Sequence, residues 1–159
     1  MLVLGLDPGK SGGIAWQRLG EPKSASGVKF PDTESDLRGV LTSCMELDAD
    51  WFAYIERVGA TPQMGVTSAF TFGRGYGFLR GLLIGLCIPF EEVGPYKWQA
   101  EFGLRQGKKL GSGDTEKHNA IKAKAQQFFP WLKITHANAA ALLISEWGVR
   151  QKSAREHSA

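Results

Sequence analysis

Two short stretches carry the acids that could do chemistry: LGLDPG around Asp7 and AYIERVG around Glu56. Each is an apolar run that ends in a carboxylate. A strand that hydrophobic does not bury an unpaired charge cheaply, so each acid must face a cleft, a cation or an arginine. If the two strands are neighbours, the carboxylates crowd together and raise each other's pKa unless a cation sits between them. Mg²⁺ suits such a pair, because it takes hard oxygen ligands and needs few from the protein when a phosphate supplies others. Plainer roles are also open. Asp7 can cap the DPGKSGG turn, and Glu56 can pair with Arg57, Arg74 or Lys97.

The DPGKSGG turn has a second possible meaning. A strand, an Asp and a glycine turn can cradle phosphate, as in actin-like sugar kinases. Those enzymes need two such lobes and a much longer chain, and the sequence has no GxxxxGK[ST]. No nucleotide cofactor is expected. Cys44 and Cys87 are isolated, without a CxxC or a nearby histidine pair, so neither a zinc site nor a disulfide is expected.

The elements that must position the acids follow from the pattern. LVLGLD (2–7) and GIAWQR (13–18) predict a hairpin through a glycine-rich turn. SGVKF (26–30) predicts a third strand, stopped by Pro31. Asp32 or Thr33 can cap a helix over 34–47 whose Leu37, Val40, Leu41 and Cys44 share a side. WFAYIE (51–56) is a buried strand. The five glycines of 58–77 predict a loop that runs into a helix near 67–87. IPFEEV (88–93) is a strand, and PYKWQAEFG (95–103) a short helix opened by proline. RQGKKLGSGD (105–114) is a basic loop. TEKHNAIKAKAQQFFP (115–130) and residues 137–150 are helices, with 151–159 a polar tail. A meander followed by βα units implies one α/β domain over 1–150, a mixed sheet with helices on both faces.

Charge is uneven. The net charge is +3 overall, but residues 95–135 hold 8 Lys/Arg against 3 Asp/Glu, whereas residues 1–94 hold 8 against 11. A basic segment after an acidic half is compatible with a polyanion partner, though on charge alone a solvated helix face is the favoured reading. No apolar run is long enough for a membrane span. The start MLVLGLDPGK lacks a basic n-region, so a cytoplasmic protein is expected.

Taken in order, LGLDPGKSGGIA, YIERVG, FTFGRGYGFLRGLL, VGPYKWQAEFG, DTEKHNAIKAKAQQFFP and HANAAALLISEWG resemble the RuvC-type Holliday-junction resolvases, including their plant-organelle and phage branches. The resemblance covers nearly the whole chain. It implies an RNase H-like fold with a five-stranded sheet, a homodimer, structure-selective cutting of four-way DNA junctions, and two Mg²⁺ (or Mn²⁺) ions per active site. Asp7 and Glu56 match family acids that ligate metal. The family's last helix usually reads A-[DE]-A-L-L-I-A, so Ala140 stands where a carboxylate is expected. His136 is the neighbouring residue that could orient a water or take its proton. The sequence therefore reads as a resolvase inactivated at 140. A natural junction-binding protein without catalysis, or an RNase H-like hydrolase acting on another nucleic acid, are the alternatives. Lys97, Lys108, Lys109, Lys117, Lys122 and Lys124 are candidate phosphate contacts. Arg74, Phe70, Phe72 and Tyr76 lie on a glycine-rich stretch that could place an aromatic wedge at the junction centre. Phe70 and Phe72 could equally be core. Gly77, Gly81 and Gly85 recur every four residues, as a close helix–helix contact between two copies would need.

Overall fold

The computed structural model describes residues 1–59, 64–104 and 114–157. Five strands form one sheet in the order β3-β2-β1-β4-β5. Strands β1 (Leu2–Asp7), β2 (Gly13–Arg18) and β3 (Glu21–Lys29) form an antiparallel meander. Strands β4 (Trp51–Glu56) and β5 (Phe90–Val93) continue from β1 in parallel. Helices α1 (Glu34–Met45) and α2 (Val66–Gly85) cover one face. Helices α3 (Pro95–Glu101), α4 (Asp114–Phe128) and α5 (His136–Glu156) cover the other.

The period of two along each strand divides the core. Leu2, Leu4 and Leu6 pack with α1 and α2, while Val3 points to the opposite layer. Ala53 and Ile55 of β4 join the first layer, and Tyr54 the second. Asp7 and Glu56 continue the alternation of Val3 and Tyr54, which puts both acids on the α5 side. The register pairs Leu6 with Ile55, so the two acids stand next to each other at adjacent parallel strand ends.

Helix α5 lies directly on that face. A Cβ on Gly5 would overlap the Ala141 carbonyl and the Ser145 amide, and one on Gly13 the Ala137 carbonyl. Only glycine allows this approach. The Ser145 hydroxyl then donates to the Val3 carbonyl at 2.9 Å. A capping box fixes where α5 begins: the Thr135 hydroxyl accepts from the Asn138 amide, and the Asn138 side chain accepts from the Thr135 amide.

Several expected boundaries move. β3 starts at Glu21 rather than Ser26, because Gly20 turns the chain with φ 80° and polar residues are tolerated on an edge strand. α2 runs unbroken from Val66 to Gly85, close to the expected 67–87: Gly73, Gly75, Gly77, Gly81 and Gly85 face open space and interrupt no packing. Residues 151–156 are not a tail but the last turns of α5. Lys152 sits over the Phe52 ring at 3.1 Å, and Arg155 pairs with Glu91 at 3.5 Å, so polar side chains anchor this end. Of the expected basic loop at 105–114, residues 105–113, with Lys108 and Lys109, lie outside the described residues, and Asp114 opens α4.

Candidate active site

Asp7 and Glu56 share a small polar cavity of about 160 Å³ with Trp98, Lys117, His136 and Ala140. Ser11, Gln99, His118 and Ile121 complete its wall. Each element contributes for a local reason. The apolar runs of β1 and β4 end at their acids. Pro95 opens α3 so that Trp98 falls on its buried side. Lys117 lies in the first turn of α4, and His136 and Ala140 lie one turn apart at the start of α5.

The surroundings of the two acids raise both of their pKa values. The indole Nε1–H of fully buried Trp98 donates to Glu56 Oε1 at 3.0 Å. Asp7 and Glu56 are close enough for a hydrogen bond between their carboxyls. Burial, followed by the charge of Glu56, pushes Asp7 up to about 8. Burial also raises Glu56, against the Trp98 N–H and the Lys117 ammonium, which pull it down. Both carboxyls are thus held above the ordinary carboxylate range, and the pair favours keeping a proton between them. Among the described residues Glu56 makes no ion pair within 4 Å, so Trp98 and Asp7 are its partners rather than Arg57, Arg74 or Lys97.

A cation between the two carboxyls fits this arrangement, because it would replace the shared proton and relieve their repulsion. A pair of cations does not fit the residues present. Ala140 offers no ligand atom, and among the described residues no group of three or more His, Cys, Asp and Glu is placed to hold a metal ion.

The other candidates divide. Lys117 is exposed and belongs to the cavity. Lys97 is exposed on α3, and Lys122 and Lys124 are half-buried on α4, outside the cavity lining. Phe70 is 72% exposed, which excludes it from the core. Arg74 is exposed, while Phe72 and Tyr76 are half-buried and stack with centroids 6.3 Å apart. On sequence alone, Trp98, Ser11, Gln99 and His118 carry no site role. A clue existed for Trp98: a residue three past an N1 proline falls on the same helix side, and an indole needs an acceptor when buried.

The sheet order, mixed strand directions and two helical layers define an RNase H-like α/β fold, with acids at the ends of its first and fourth strands. Among solved structures, the chain matches Thermus thermophilus RuvC in complex with Holliday junction substrate at 13% identity and a TM-score of 0.63, covering 98% of this chain and 96% of that one. It matches a second T. thermophilus RuvC structure at 15% identity and a TM-score of 0.59, covering 99% and 97%. No protein-family model and no curated protein matches the sequence. At this identity the likeness establishes the fold.

Proposed function

We propose that this chain is a resolvase-like protein that binds four-way DNA junctions as a homodimer, with a nuclease site that lacks one acid at position 140. The observation that carries the reading is the meeting of Asp7 and Glu56 beside Lys117 at adjacent strand ends. It occurs in a chain whose fold runs the length of a RuvC solved with a Holliday junction substrate.

Exposed Lys97 and Lys117, with Lys122, Lys124 and the Lys108–Lys109 segment, hold phosphates of the arms. Arg74 and Phe70 face the junction from α2. The same helix exposes Val66, Phe70 and Ile84 around Gly77 and Gly81, a surface suited to a second copy of the chain. A two-fold dimer would present two sites related as the paired strands of a junction are.

Mg²⁺ or Mn²⁺ held by Asp7 and Glu56 would polarise the phosphate and acidify a bound water. Two such ions need a further carboxylate, and position 140 is where α5 would deliver one. His136, one turn earlier, would orient the water or take its proton. As the chain stands, with no three-ligand cluster among the described residues, it binds and does not cut.

The test is to install the acid. Ala140→Asp or Ala140→Glu is expected to nick junctions at paired positions in Mg²⁺ or Mn²⁺, and adding Asp7→Asn to end this without loss of binding. Normal cutting by the unaltered chain would show that position 140 is misassigned. Failure of both replacements would leave a protein built for binding alone.

A further inference from the structure

Among the described residues, four polar side chains are buried: Gln17, Gln99, Asn138 and Ser145. Burial strips such a group of water, so each needs a partner or a reason to lack one. Asn138 is engaged in the capping box of α5, and the Ser145 hydroxyl is bonded to the Val3 carbonyl. Gln17 pairs in register with Val3, towards the far end of β1 from Asp7. Gln99 differs from all three. It is 3% exposed, it lines the carboxylate cavity, and its side chain makes no hydrogen bond among the described residues. A buried amide oxygen without a donor leaves a deficit that a bound ligand can fill. Resting on the reading of Asp7 and Glu56 as a cation site, we propose that Gln99 Oε1 is the third oxygen ligand of that site.

Helix α3 places the residue. Pro95 opens the helix, and Trp98 and Gln99 are both on its buried side. Trp98 already holds Glu56 through its indole N–H at 3.0 Å. The residue that orients Glu56 is therefore the chain neighbour of Gln99, and α3 delivers both to one cavity.

Depth separates the ligands the cavity can take. Ser11, Lys117, His118 and His136 are exposed and form its rim, where their N–H and O–H groups suit phosphate oxygens. Gln99, Ile121 and Ala140 are buried and form its floor. A phosphate carried by DNA meets the rim, whereas a small cation reaches the floor. Oxygen is scarce there, because Ala140 supplies none. A carboxamide oxygen is a hard ligand of the kind Mg²⁺ and Mn²⁺ accept. Being neutral, it adds a ligand without adding a third charge to two carboxyls that already repel each other. It also leaves too little negative charge for a second divalent ion, in keeping with a site for one cation.

The experiment titrates Mn²⁺ into the full chain and follows the free ion by electron paramagnetic resonance, so it reads binding and not cutting. The parent is expected to bind a single Mn²⁺ that Asp7→Asn abolishes. Gln99→Met keeps the length of the side chain and removes its oxygen, and is expected to weaken binding roughly tenfold. Gln99→Glu keeps the shape and adds a charge, and is expected to tighten binding by a similar factor. A glutamine with a packing role alone would shift the melting temperature in EDTA and leave the Mn²⁺ affinity unmoved, so both are recorded for each variant. If Gln99→Met does not fold, Gln99→Glu carries the test. Parent and folded variants of equal Mn²⁺ affinity overturn the Gln99 ligand and leave the carboxylate and junction readings standing. No Mn²⁺ bound by the parent or by Gln99→Glu overturns the cation reading of Asp7 and Glu56 as well.

Discussion

The two longest helices of the fold are nearly equal in length and opposite in character. Of the 21 residues in α5, ten are buried, and its first three turns rest on glycines of β1 and β2. Of the 20 in α2, only Leu79 and Leu83 are buried, while its glycines and Val66, Phe70 and Ile84 face outward. Helix α5 is therefore held by the chain's own sheet and sets the wall of the carboxylate cavity. Helix α2 satisfies only one narrow side within the chain, and its remaining surface is available to a partner copy and to DNA. The carboxylate site sits on the rigid element, and the proposed recognition surface on the open one.

The sharpest way to break this comparison is to add the same methyl group to each helix interface. Gly5→Ala would drive a Cβ into the α5 backbone, so a loss of about 4 kcal/mol or more, or no folded protein at all, is expected from urea denaturation. A Gly5→Ala protein as stable as the parent would mean that α5 is not locked on the sheet.

Next in size is the carboxylate pair. Asp7 has its pKa raised to about 8 by burial and Glu56, from an ordinary 3.8. Between those values the folded state holds a proton that the unfolded chain has released. This contribution to stability is therefore fully present below about pH 4 and lost as pH rises toward 8. Asp7→Asn is expected to raise the melting temperature at pH 8 by several degrees and by little at pH 4. Mg²⁺ or Mn²⁺ should recover part of that rise in the parent and none in the variant. A parent whose melting temperature is flat across this range would contradict the paired-carboxyl geometry.

A smaller effect is expected on α2. Gly81→Ala meets open space, so dilute, monomeric protein should gain up to about 1 kcal/mol from helix propensity. At higher concentration the added methyl should weaken the proposed dimer, as followed by light scattering, and Gly81→Trp should abolish it. Self-association indifferent to both changes would place the dimer contact elsewhere. Smallest of all, Lys117→Ala should reduce the slope of log affinity against log salt by about one unit. An unchanged slope would remove Lys117 from the phosphate contacts.

The same contrast explains what was legible in the sequence. Asp7 and Glu56 could be paired in advance because an apolar strand ending in an acid is a strong local signal, and the alternation decides which face the acid takes. The helix expected near 67–87 is α2, but the glycines of 58–77 blur where it begins, because glycine content counts against a helix in isolation and the exposure of those glycines is a tertiary fact. The end of α5 was missed for the opposite reason. Arg150, Lys152 and Arg155 read as solvent-loving, yet they are held by Glu146 and Glu101, by the Phe52 ring and by Glu91. Trp98 is fully buried, and an indole there needs an acceptor, but which acceptor it finds is decided by a bond to Glu56 between residues 42 apart.

The central claim, that this chain recognises branched DNA, is tested most directly by one gel-shift competition at physiological salt. A labelled four-way junction is bound by the unaltered chain and competed with unlabelled junction, with duplex of equal length, and with an RNA–DNA hybrid. The account predicts that only the unlabelled junction competes at low excess, and that affinity falls by orders of magnitude as salt rises from 50 to 200 mM, as about six phosphate contacts would require. Equal competition by duplex or hybrid would contradict it.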